Sequence, residues 1–126
     1  MNLDKVVAGF FIILAMTLNF GFFYGDTNDI HLHSKYELFA AILVNIIATV
    51  LKLGDKTQMG SVLIATSLVA DLQLILAATL WTIFSTPEGV VNQEVWGAII
   101  SLSGGALLAN ITSVVLYVGE TLKSKR

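Results

Sequence analysis

Ser61-Val62-Leu63-Ile64-Ala65-Thr66-Ser67-Leu68-Val69-Ala70-Asp71-Leu72-Gln73-Leu74-Ile75-Leu76-Ala77-Ala78-Thr79-Leu80 is the stretch that decides the fold. Apolar and small residues extend for about ten positions on either side of one acid, with neither Gly nor Pro to break them. A run of that length is far longer than a strand. As a helix rising about 1.5 Å per residue it crosses roughly 30 Å, the thickness of a bilayer's hydrocarbon core. The pattern predicts a helix over residues 58–84.

Three further runs have the same character. The first, over about residues 5–24, stops at Gly25-Asp26, a glycine in the C′ position followed by a polar loop. Ser34-Lys35-Tyr36-Glu37 has the spacing of a capping box that opens a second helix over 36–53. Asp55-Lys56-Thr57-Gln58 is a weaker cap that starts the third helix after a very short turn, which makes helices 2 and 3 an antiparallel hairpin. Pro87 within Ser85-Thr86-Pro87-Glu88-Gly89 marks a reversal. Asn92 or a neighbour then opens helix 4 over 94–118, leaving a polar tail over 119–126.

Composition agrees. Of the 126 residues, 56% are hydrophobic and 13% charged, about half the charge of an ordinary soluble domain. The absence of cysteine removes disulfides and thiolate metal sites. A net charge of −2 without a basic cluster argues against nucleic acid as a partner. The first run is longer than a signal-peptide core and no small-x-small site follows Tyr24, so a retained first helix is expected. The expected fold class is therefore all-α, an integral membrane bundle of four transmembrane helices in one domain.

Four spans put Lys5, Lys52, Lys56, Lys123, Lys125 and Arg126 on one side and Lys35 alone on the other. The positive-inside rule then places both termini in the cytoplasm. Tyr24, Tyr36, Trp81 and Trp96 fall at the outer ends of the four helices, where an aromatic belt is expected. Ala41-Ile42-Leu43-Val44-Asn45-Ile46 matches Ala106-Leu107-Leu108-Ala109-Asn110-Ile111, an offset of 65 residues. Two readings stay open for that match: a parallel duplication of a helical hairpin, or the shared composition of apolar helices.

Asp71 is the most informative position. An acid at mid-membrane depth costs about 2.5–3.5 kcal/mol on insertion scales and is by default a functional candidate. It could bind an ion or proton, or it could join helices by hydrogen bonds. Gln73, Asn45, Asn110 and Asn19 are the other amides expected inside the bundle, and two readings stay open for Asn45 and Asn110: a polar cluster with Asp71, or hydrogen bonds between helices for packing alone. Ser101, Gly105 and Ala109 recur every fourth residue, a small-residue strip suited to close helix packing. In the loop, His31 and His33 with Asp26 and Asp29 offer a candidate Zn²⁺ or Cu²⁺ site, set against the commoner case of solvated histidines.

Other readings fail on particular residues. Tyr24-Gly25-Asp26 shares three residues with the end of a potassium-channel filter, but Phe23 stands where that filter needs glycine. Small multidrug transporters match in size and helix number, yet helix 1 lacks their membrane-embedded glutamate. No nucleophile–base pair, phosphate loop or His-Glu-x-x-His run points to an enzyme, and no cofactor is implied.

Thr17-Leu18-Asn19-Phe20-Gly21-Phe22-Phe23-Tyr24-Gly25-Asp26, Glu37-Leu38-Phe39-Ala40-Ala41 and Ala70-Asp71-Leu72-Gln73 resemble a family of small bacterial inner-membrane proteins of unassigned function. That resemblance implies a bacterial inner membrane along the whole chain and supplies no activity. Two functional expectations follow: a component of ion- or proton-linked transport centred on Asp71, or an accessory or scaffold subunit of a larger membrane complex. The expected partners are the lipid bilayer and either further copies of the chain or that larger complex.

Overall fold

The computed structural model describes residues 3–25, 35–53, 58–88 and 90–124. Four helices account for nearly all of them: α1 (Leu3–Tyr24), α2 (Lys35–Lys52), α3 (Gln58–Phe84) and α4 (Gln93–Ser124). α3 has the bounds its sequence predicts, and α1 and α2 differ from theirs by one or two residues at an end. α4 is longer than expected. It passes through Gly119, where a stop was read, and continues to Ser124. Gly119 is exposed and nothing crowds its backbone. A mid-helix glycine costs only about 1 kcal/mol, and Thr121 Oγ1 bonds back to the Tyr117 carbonyl at 2.9 Å. The polar tail expected over 119–126 is thus largely helix. At the other end Asn92 caps α4 as expected, its Oδ1 accepting from the Val95 amide at 2.9 Å.

Each helix packs against two others: α1 on α2 and α4, and α3 on α2 and α4. The ring closes in chain order, so neighbours run antiparallel and both ends of the described chain lie at one end of the bundle. α1, α3 and α4 are long and apolar enough to cross a membrane. α2 is not among the helices that meet both criteria: it has 18 residues and carries Lys35, Glu37 and Lys52.

The surface is apolar and the interior mixed, the inverse of a soluble bundle. Phe10, Phe20, Phe39, Leu43, Leu72, Leu108 and Val115 are exposed. Asn19, Asn45, Thr49, Lys52, Ser67, Asp71, Ser103, Asn110 and Ser113 are buried. A helix face that buries amides and hydroxyls must find them partners on neighbouring helices, and those partnerships fix how the helices are rotated.

The helix-packing strip of α4 is one consequence. Ser101 is exposed, Gly105 and Ala109 are half-buried, and the fully buried line is Ser103, Ala106, Asn110 and Ser113. The strip borders that line, with Gly105 close against Gln73 of α3 and Ser101 facing outward. Trp81 and Trp96 depart from the expected belt. Tyr24 and Tyr36 are exposed at the end remote from the termini, but both tryptophans are buried and meet edge to face at 5.2 Å. Phe22 lies 5.9 Å from Trp81, and the Lys35 ammonium sits 5.6 Å from the Trp81 ring. A pair of rings so placed gains about 0.5–1.5 kcal/mol beyond its buried area, which favours the interior over a lipid-facing position.

Candidate functional site

Two rungs join α2 to α3 in the half of the bundle nearer the chain ends. On the first, Thr49 Oγ1 lies 2.7 Å from Asp71 Oδ2 and 2.9 Å from the Asn45 carbonyl. On the second, one turn along both helices, the Lys52 ammonium donates to Ser67 Oγ. Antiparallel helices make this register automatic, since a step of three on α2 meets a step of four on α3. Lys52 also donates to Ser113 Oγ on α4 at 3.3 Å, and Ser113 Oγ is 2.6 Å from Thr66 Oγ1. Thr66 in turn donates to the Leu63 carbonyl at 2.9 Å. Lys52 therefore ties α2, α3 and α4 together.

Lys52 and Asp71 are 6% and 8% exposed, so an ammonium and a carboxyl group share one protein interior. A lone buried charge is prohibitively costly, and an opposite charge one helical turn away offsets part of that cost. The coupling runs through hydroxyls and the local field, with no direct contact recorded between the two charged groups. Asp71 Oδ1 is buried with no hydrogen-bond partner.

The chain-end face of the site opens into a cavity of about 370 Å³. Lys52, Leu63 and Tyr117 line it, with Asp4, Lys5 and Glu120 among its charged groups. Tyr117 closes one side by donating to the Lys5 carbonyl at 2.6 Å, and Gly9 permits that approach: a Cβ there would sit 3.2 Å from the tyrosine ring. A second cavity of about 410 Å³ lies toward the opposite end, between α2 and α3. Its wall is mainly apolar, from Leu38, Phe39, Ala78 and Trp81.

The expected site residues distribute over several clusters. Asn45 is adjacent to Asp71 through Thr49, while its own amide donates to the Ala41 carbonyl at 2.7 Å. Asn110 does not reach Asp71. Its amide donates to Asn19 Oδ1 at 2.9 Å, and Asn19 donates to the Ser103 carbonyl at 2.9 Å, a separate clamp between α1 and α4. Gln73 points at α4, where a Cβ on Gly105 would lie 2.8 Å from its amide atoms. His31, His33, Asp26 and Asp29 lie outside the described residues. Among the described residues no three His, Cys, Asp or Glu side chains group as a metal site.

Thr49, Lys52, Ser67, Ser113 and Thr66 are the additions. Lys52 is the consequential one, because as a charge near a helix end it reads as an interfacial lysine. Its spacing held the clue. Asn45, Ala48, Thr49 and Lys52 fall at i, i+3, i+4 and i+7 and continue the buried face of α2.

The class defined by these observations is an all-helical four-helix bundle with membrane-length helices and a buried polar site. Residues 32–121 match the family described as a family of unknown function, DUF6394, and the chain belongs to that family. The matched region holds α2, α3 and most of α4, hence Lys52 and Asp71, and it begins after α1 and the Thr17–Asp26 stretch. Comparisons with curated proteins and with solved structures gave no match.

Proposed function

We propose that this chain is a four-span protein of the bacterial inner membrane, with both termini cytoplasmic, and that it serves ion- or proton-linked transport through Asp71. α2 supplies the fourth span. Its 18 residues cover about 27 Å as a helix, and it stands in the ring between two membrane-length neighbours. The charges that mark it as too polar are the ones the bundle takes up: Lys52 turns inward to serines and Lys35 lies over Trp81. Orientation follows the positive-inside rule, which survives the removal of buried Lys52 from the count of interfacial lysines.

The observation that carries the transport reading is a buried carboxyl group and a buried ammonium one turn apart, the ammonium lining a cavity at the chain-end face. Ionisable groups at this depth, facing protein instead of lipid, typify ion and proton pathways. The apolar, aromatic packing at the other end supplies the barrier that a coupled pathway requires. Purified protein in liposomes tests the reading. The wild type is expected to pass protons or monovalent cations down an imposed gradient, and Asp71→Asn to lose that flux. If neither passes ions while Asp71→Asn assembles normally, the chain is instead an accessory or scaffold subunit. A stoichiometric partner or homo-oligomer recovered in mild detergent would then define its role.

A further inference from the structure

The hydrogen-bond inventory around Asp71 is one donor short. Thr49 has a single hydroxyl proton and two oxygens within bonding distance, the Asn45 carbonyl at 2.9 Å and Asp71 Oδ2 at 2.7 Å. A carboxylate only accepts, so with Asp71 ionised one of those two contacts sets lone pair against lone pair. A proton on Oδ2 resolves the conflict. The acid then donates to Thr49, and Thr49 donates to the Asn45 carbonyl.

The neighbouring rung has no such deficit. Lys52 donates to Ser113, Ser113 can donate to Thr66, and Thr66 donates to the Leu63 carbonyl, so both hydroxyls in that chain receive and give. The same rung sets a positive charge one turn from Asp71, beside the place a metal cation on that carboxyl group would take. Hard cations such as Ca²⁺ and Mg²⁺ take six or more oxygen ligands, whereas the bonded neighbour of Asp71 is a single hydroxyl. A resident ammonium one turn away repels a second positive charge in a medium where charges interact strongly.

We propose that the ion exchanged at Asp71 is the proton, and that Lys52 excludes metal cations by holding a positive charge one turn away. The proposal deepens the transport reading and rests on it for purpose, while its chemistry can be tested without any flux. The proton arrives through the cavity at the chain-end face. The titratable groups lining the cavity are Asp4 and Lys5 of α1, Lys52 of α2, and Tyr117 and Glu120 of α4, with Asp71 of α3 one turn beyond Lys52. Uptake forms one O–H bond at Oδ2 and releases no other group.

Infrared difference spectroscopy of the intact protein in lipid, stepped through pH, tests this directly. The wild type is expected to show a protonated-carboxyl band that Asp71→Asn lacks. Its midpoint should be identical in sodium, potassium, magnesium and choline salts of equal ionic strength. In Lys52→Met the midpoint should become cation-dependent, since the repelling charge is then gone. Should Asp71→Asn fail to fold, Thr49→Val serves in its stead: loss of the hydroxyl partner must shift the band's frequency. A wild-type band displaced by sodium or magnesium overturns the proposal. So does the absence of an Asp71 band at every pH where the protein stays folded. Liposomes that pass no ions while this titration persists would sink the transport reading alone. Asp71-dependent sodium flux with a sodium-displaced band would sink the proton inference alone.

Discussion

The two ends of this bundle are held together by different means. At the end remote from the chain termini, Phe22, Trp81 and Trp96 fill the interior with rings, and Leu38 and Leu74 lie in the same cluster. Toward the chain-end face, Lys52, Ser67, Ser113 and Asp71 cross-link helices through directional bonds, and a cavity opens beside them. Within a membrane the first arrangement relies on close packing and the second on hydrogen bonds between helices. Packing makes a seal, whereas a polar network with an opening can exchange ions. On the transport reading proposed above, the barrier lies at one end and the chemistry at the other.

Removing a ring is expected to have the largest structural effect. Trp81→Ala should cost about 3–5 kcal/mol in a detergent unfolding titration and leave the Asp71 carboxyl titration unchanged. A small cost, or an altered titration, would show that the two ends are not separable. Lys52→Met comes next, at about 3 kcal/mol when measured above the midpoint of the Asp71 titration, because it leaves the ionised acid without its compensating cation. The double variant Lys52→Met/Asp71→Asn should recover part of that loss, and strict additivity would deny the coupling. Asn110→Ala should cost about 1 kcal/mol by breaking the Asn19 clamp, with ion flux intact. The smallest effect is expected from Lys35→Gln, about 0.5 kcal/mol, since it removes only the cation above Trp81.

Helix positions were legible because long apolar runs interrupted by Gly, Pro and capping residues leave few alternatives, and α3 keeps its predicted bounds. The end of α4 was not legible. Gly119 resembles a stop, but a glycine in an exposed helix carries too small a cost to end one without a turn to receive it. Asp71 stood out because a single acid in a long apolar run is expensive wherever it faces. Lys52 did not, because a lysine near a helix end is normally free to reach the interface. Its burial depends on Ser67 and Ser113, far away in sequence. The same holds for the tryptophans and for Ser101, Gly105 and Ala109. Periodicity showed which residues share a face, and only the partners on neighbouring helices decided which face turned inward.

The native chain has no cysteine, so single-cysteine labelling can address the central proposal, that the site opens only at the chain-end face and that this face is cytoplasmic. Ala8→Cys places a thiol in the wall of the cavity beside Lys52, and Thr82→Cys places one beside the apolar cavity toward the other end. With a membrane-impermeant thiol reagent, Ala8→Cys should react in inverted vesicles and stay unlabelled in right-side-out vesicles, and Thr82→Cys should never react from the inverted side. Labelling of Ala8→Cys from the outside, or from both sides, would contradict the account.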